Sequence, residues 1–338
     1  PRCSSFLAME NDFFRSGYAS IEEAITVLVS HEYFHAVQNG YRAELPPWWS
    51  EGTATWFQEA FDSSQSDFER LAGAWIADPD RSIDSRPRSP GEAFQYGASL
   101  FVWFLDQKLG EATILDVFER FALGDELEIA IEDALTDAGL PLSDAWLRFG
   151  VWSLFTGERS LADQGFPNAA ELGSVALETV DAPAPFNWQG DVDAMAVQHL
   201  ALTGLDSPST VTLSPIDDRP TPTVALVTAA AFGASGAFDV LEPGTPVAVS
   251  GEETVYVVAA NGDWDGRASL RLAIRSANDG DEPVAPDDAP IEGDVSTSGS
   301  GGTDGCAAGA ATSSALWPML IAFAGRRRRP YRRDQVGA

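Results

Sequence analysis

The sequence predicts an α+β chain: a mainly helical first half, an all-β sandwich-like second half, and a C-terminal segment of transmembrane type. Three observations predict it. Apolar residues recur at helical spacing through most of residues 21–156. From about residue 175 the texture changes to alternating apolar positions rich in Val and Thr, punctuated by Pro and Gly. Beyond residue 276 a polar Ser/Gly/Thr-rich stretch leads into an uncharged run closed by arginines. The divisions implied are a first domain at 1–160, a connector at 161–180, a β domain at 181–275, a tether at 276–304 and a terminal segment at 305–333.

In chain order, Pro1-Arg2-Cys3 does not resemble a start and no hydrophobic leader precedes the first helix, so a processed or N-terminally incomplete chain is expected. Residues 4–11 read as a short strand. A helix is expected over 21–38, with Ser20 as N-cap, Glu22 and Glu23 in the first turn, and Gly40 as its stop. Ile25, Leu28, Val29 and Phe34 are its expected core face. A second helix follows at 48–61. Residues 62–92 are polar and rich in breakers, the texture of a loop over a site. Helical pattern resumes at 93–108, 112–121, 126–138 and 145–156, the last capped by Ser143 or Asp144. Short strands are expected at 192–202, 209–213, 223–228, 238–241, 247–249, 254–260 and 268–274.

The chemistry concentrates in the first helix. The chain has three histidines, and two of them fall in His31-Glu32-Tyr33-Phe34-His35. Positions i and i+4 share one helix face, so both imidazoles can reach one point, and neutral imidazole nitrogen suits a divalent cation such as zinc. Glu32, beside the first histidine, projects next to that point and stands where a general base belongs. H-E-x-x-H is a known metallopeptidase pattern. Two histidines merely satisfying polar contacts in a core are the bland alternative. A third ligand is expected from a carboxylate on the second helix. Glu51, in Pro47-Trp48-Trp49-Ser50-Glu51-Gly52-Thr53-Ala54, is the choice over Glu44, Glu59 and Asp62. Two histidines and one glutamate leave a fourth position open, the catalytic rather than the structural arrangement. His199, alone in a strand, reads as a packed residue and not a ligand.

Together with Ala36-Val37-Gln38, these two stretches resemble the gluzincin metallopeptidases of the peptidase-MA type, whose helix carries H-E-x-x-H-A-x-Q and whose next helix carries W-x-x-E-G-x-A. The similarity continues through Tyr96-Gly97-Ala98-Ser99-Leu100-Phe101 and Leu109-Gly110, covering roughly residues 5 to 155. The resemblance implies a zincin-like fold, zinc (Zn2+) on His31, His35 and Glu51, and a zinc-bound water activated by Glu32 for peptide-bond hydrolysis. Such a reaction needs a donor for the developing oxyanion. Tyr96 lies where related families often show a tyrosine, with Tyr41 and Tyr33 as weaker choices and a core aromatic as the bland reading. Ala8-Met9-Glu10-Asn11 is similar to the amino-terminus-gripping motif of the aminopeptidase branch, but four residues at an approximate spacing are too few, and an ordinary strand end is the preferred reading. The gap before Glu51 is shorter than in thermolysin-like and aminopeptidase members, so their specificity does not carry over.

Composition frames the partners. Formal net charge is −30, and six of the 21 basic residues fall within 326–333. A body this acidic is not built to seek nucleic acid or an anionic membrane surface. Lys108 is the only lysine, and the exterior reads as solvated and soluble. Gly305-Cys306, the apolar run 307–325 and Arg326-Arg327-Arg328-Arg329 resemble the MYXO-CTERM sorting signal of myxobacterial surface proteins. That resemblance implies export to the cell surface, outer membrane or medium, with the segment engaging membrane and sorting machinery. An ordinary membrane anchor is the alternative. Cys306 belongs to that signal and Cys3 is left without an obvious partner, so no disulfide framework is indicated. The expected protein is a monomeric, exported zinc metallopeptidase acting on a protein or peptide substrate. The competing expectation is a catalytically silent surface adhesin that keeps the fold and works through its β domain.

Overall fold

Ser20 opens α1 (Ile21–Tyr41): its Oγ accepts the Glu23 N–H at 3.0 Å, and Glu22 and Glu23 meet the positive end of the helix. The computed structural model describes Tyr18 and residues 20–276, apart from 65, 66, 206, 207, 217, 252 and 253. The expected N-terminal strand with Met9 and Glu10, the two cysteines, nearly all of the tether and the arginine-closed segment lie outside the described residues.

Helix α1 runs through Gly40 instead of stopping there. Its buried face is Ala24, Val27, Ser30, His31, Phe34 and Gln38, while Ile25 is 39 % exposed. The apolar face expected from Ile25, Leu28 and Val29 is therefore rotated. The stripe through Val27, His31, Phe34 and Gln38 faces inward because its polar members find partners there. Helix α2 (Pro47–Phe61) starts with proline at its first position, where a missing N–H costs nothing. It lies against α1 and against the corner where α4 (Phe94–Gly97) meets α5 (Ser99–Leu109). Gly52 permits that approach: a Cβ there would sit 3.1 to 3.2 Å from Ala98 and the Ser99 nitrogen.

A helix not expected from the sequence, α3 (Asp67–Ile76), occupies part of the presumed loop 62–92. It buries Phe68, Leu71, Ala72, Trp75 and Ile76 at helical spacing. The rest of that stretch is a strap rather than a free loop. Val197 N–H donates to Pro79 O at 2.8 Å and Ile83 N–H to Met195 O at 3.0 Å, tying it to the sheet. Buried Arg81 clamps it to Glu92 at 2.7 Å and stacks over Phe94 at 4.0 Å. The single helix expected at 93–108 breaks into α4 and α5. Helices α6 (Glu111–Leu123), α7 (Leu127–Asp137) and α8 (Leu142–Leu154) complete the layer. Pro141 stands at the start of α8, so Ser143 and Asp144 lie in its first turn and do not cap it.

The second half forms two sheets. One has the order β1 (Glu178–Asp181), β3 (Ala196–Thr203), β8 (Val255–Asn261), β5 (Thr223–Val227), β6 (Asp239–Val240). The other has β2 (Phe186–Val192), β9 (Ala268–Ser276), β4 (Ser209–Ser214), β7 (Pro246–Val249). Strands β1 and β2 and the short helix α9 (Ala229–Ser235) were not expected. In the first sheet Ala196, Leu200, Leu202, Val224, Leu226, Val255, Val257 and Ala259 face the second sheet, forming one core. The alternate residues Val197, Ala225, Val227, Val258 and Ala260 join the helical core. Helix α8 lies on that face, and Trp146 Nε1–H donates to Ala196 O at 3.0 Å. The chain is thus three layers, helices, sheet and sheet, with an α+β composition. Among the described residues no helix is long and apolar enough to cross a membrane.

Candidate metal centre

The second turn of α2 and the middle of α1 bring three donor atoms together. His31 Nε2 lies 3.1 Å from Glu51 Oε2, His35 Nε2 lies 3.5 Å from the same oxygen, and the two Nε2 atoms are 3.2 Å apart. The i and i+4 placement of the histidines sets their rings edge to face, with centroids 4.8 Å apart. Among the described residues, this is the one group of three or more His, Cys, Asp or Glu side chains converging closely enough to hold a metal.

The outer nitrogens fix which inner atoms are available. His31 Nδ1 meets Gln58 Oε1 at 3.0 Å, and His35 Nδ1 meets Gln38 Oε1 at 2.7 Å. A carbonyl oxygen only accepts, so each Nδ1 carries the proton and each neutral ring keeps a lone pair on Nε2. Two lone pairs and a carboxylate oxygen facing one another at such distances repel unless positive charge lies among them. A tetrahedral cation with bonds of about 2.0–2.1 Å separates its ligand atoms by about 3.3–3.4 Å, which the three observed spacings bracket. The donor set fits a divalent metal.

With a proton in place of a cation, the same atoms form an acid–base cluster. Burial pushes the Glu51 carboxyl up, but protonated His31 and His35 donating to it outweigh burial and bring its pKa down to about 2. Burial pulls His35 down, yet Glu51, Gln38 and Glu32 together raise it. Half-buried Glu32 is raised chiefly by desolvation, against the pull of His31 and His35 and with a further push from Glu51. Tyr96, on α4, has its ring centroid 5.9 Å from that of His31. Burial, and then the nearby Glu51 charge, raise its pKa, so it stays a neutral donor.

The structure therefore brings His31, Glu32, His35, Glu51 and Tyr96 to one place. It does not bring the alternatives. Tyr41 packs against Phe118 and Tyr33 against Phe57. Buried Glu59 lies on α2 near Glu69, and desolvation followed by the Glu69 charge raises it to about 7. His199 is buried against α8, where its Nε2 meets Gly150 O at 2.8 Å and Ser153 Oγ at 3.3 Å. Sequence reasoning missed the roles of Gln38, Ser50, Gln58 and Asp67. Gln38 follows His35 by one helical turn and Gln58 follows Glu51 by two, spacings that put each on the face of its neighbouring ligand. Ser50 Oγ donates to Gln38 Oε1 at 3.2 Å, and Gln38 Nε2–H to Ser50 O and Thr53 Oγ1, each at 2.8 Å. Compared with known protein families, characterised proteins and solved structures, the chain matches none of them.

Proposed function

We propose that the protein is a zinc-dependent metallopeptidase of gluzincin type with a zincin-like helical layer. The observation that carries this reading is the convergence of His31 Nε2, His35 Nε2 and Glu51 Oε2, with both Nδ1 atoms committed to glutamine carbonyls. A second carboxylate, Glu32, stands beside them without being needed as a ligand. A purely structural or adhesive site would have no use for it.

His31, His35 and Glu51 would hold zinc. The bound ion would supply a Lewis acid for the scissile carbonyl and lower the pKa of water at the site. Glu32, with its affinity for protons raised by burial, takes the proton of the attacking water on a carboxylate oxygen and returns it to the leaving amine nitrogen. The Tyr96 hydroxyl donates to the oxygen on which negative charge develops. The order of Cys306, an apolar run and four arginines supports export as part of the proposal.

The test is digestion of a mixed peptide library by the zinc-loaded protein and by its Glu32→Gln variant, read by mass spectrometry. Cleavage by the unsubstituted protein alone is expected, with equal zinc content in both. Zinc binding without cleavage by either would overturn the peptidase reading. Full activity of Glu32→Gln would overturn the role of the base.

A further inference from the structure

The two histidines are not supported in the same way, and the difference reaches α3. Gln58 receives His31 Nδ1–H on Oε1 and donates its own Nε2–H to Asp67 Oδ2 at 3.3 Å. Asp67 is 8 % exposed and opens α3. Its other contacts come from the Arg70 guanidinium, whose Nε donates to Oδ1 at 2.9 Å, and from the Tyr18 hydroxyl, which donates to Oδ2 at 3.3 Å. Burial and the Asp67 charge raise the pKa of that hydroxyl, keeping it a donor.

The chain has a direction. A primary amide can present either its oxygen or its nitrogen to an imidazole, and only the oxygen selects the tautomer with a lone pair on Nε2. An ionised carboxylate accepts and never donates. Asp67, paired with the Arg70 guanidinium, therefore claims the Gln58 NH2 group and leaves its oxygen for His31. Outer partners of this kind set ring orientation and basicity in metal sites. For His35 the same task falls to Gln38, whose NH2 group is claimed within α2 by Ser50 O and Thr53 Oγ1. His31 alone depends on a residue from a third helix.

We propose that Asp67, acting through Gln58, is a positioning residue that fixes the metal-binding tautomer of His31. This rests on the metal-centre reading above. It makes α3, which supplies no ligand, part of what determines metal affinity.

The experiment uses the full chain with Co2+ as probe. Affinity is measured by chelator competition, and exchangeable hyperfine-shifted Nδ1–H resonances of the bound histidines are recorded by NMR. Two such resonances are expected in the unsubstituted protein. Gln58→Leu should lose or broaden one of them, keep the other, and weaken Co2+ roughly 10–100-fold. Asp67→Ala should affect the same resonance with a smaller loss of affinity, and it serves alone if Gln58→Leu does not fold. Combining Gln58→Glu with Asp67→Asn reverses the hydrogen bond between the two positions but keeps an acceptor oxygen facing His31 Nδ1–H, and should restore both resonances and affinity. Unchanged resonances and affinity in the single variants would overturn the proposal. Loss of both resonances together, or no recovery in the exchanged pair, would show a general structural role and overturn it as well. If the unsubstituted protein binds no Co2+, it is the metal-centre reading that fails.

Discussion

Buried His31 and half-buried His35 lie between α1 and α2 beside a carboxylate, whereas His199 is buried between α8 and β3 with a backbone carbonyl and a serine hydroxyl for company. At the first interface each Nδ1 donates to a glutamine and each Nε2 points at its neighbours with a lone pair. At the second, Nε2–H donates to Gly150 O, and Nδ1 is buried without a partner among the described residues. Burial pushes the His199 pKa down to about 4, so that ring is neutral at ordinary pH. Burying an imidazole is thus not in itself a sign of a ligand. What distinguishes the pair is the direction of its hydrogen bonds and the acid it shares.

The contrast can be broken most forcefully at Glu51. Glu51→Ala removes the shared acid, and metal affinity should fall by more than the roughly 10–100-fold that an outer partner is worth. Equilibrium dialysis would measure it, and unchanged metal stoichiometry would mean that another acid is the third ligand. Next comes Tyr96→Phe, which should leave metal content intact and lower kcat by roughly 100–1,000-fold, as loss of an oxyanion donor does. A kcat within experimental error of the unsubstituted protein would return Tyr96 to the core.

His199 offers a third, quieter test through pH. Its folded pKa lies below its unfolded value of 6.5, so the unfolded chain binds the proton more tightly. Stability associated with this group is full above 6.5 and is lost as pH falls toward 4, by roughly 3 kcal/mol. Glu59, raised from 4.5 to about 7, works in the opposite sense, contributing stability that is lost as pH rises across that window. Denaturant midpoints from pH 4 to 7 for the unsubstituted protein, His199→Gln and Glu59→Gln separate the two. An acid-side loss that persists undiminished in His199→Gln would contradict the assignment. The smallest effect is expected at Gly150→Ala. Its Cβ would stand 2.8 Å from Val197 Cγ1 and 2.9 Å from Val258 Cγ1, and overpacking of this kind costs roughly 1–3 kcal/mol. A thermal melt that does not fall would show that the α8–sheet seam has room to yield.

Much of the centre was legible because its parts are local. His31, Glu32 and His35 occupy five consecutive positions, and Glu51 lies early in the next helix across a short connection, so the two surfaces are brought face to face by local spacing. Gln58 and Asp67 were not legible as partners, since a polar residue at the end of one helix acquires meaning only from what lies across from it. Helix α3 was hidden because its ten residues follow a polar turn and sit within a stretch dominated by breakers. Strand alternation located most of the β region. It could not distinguish the two faces of β3, β5 and β8, because residues facing α8 and residues facing the second sheet are equally apolar. That is why Val197 and Ala196, neighbours in sequence, belong to different cores.

This double-faced sheet has a thermodynamic corollary. A wall common to both cores cannot lose its partner on one side without exposing apolar surface on the other, so the two halves are expected to melt together. A ligand held by α1 and α2 would then protect strands that never touch it. By mass action, saturating the centre at a hundred times its dissociation constant would add about 2.7 kcal/mol to the whole, and amide exchange in β8 would slow along with that in α1.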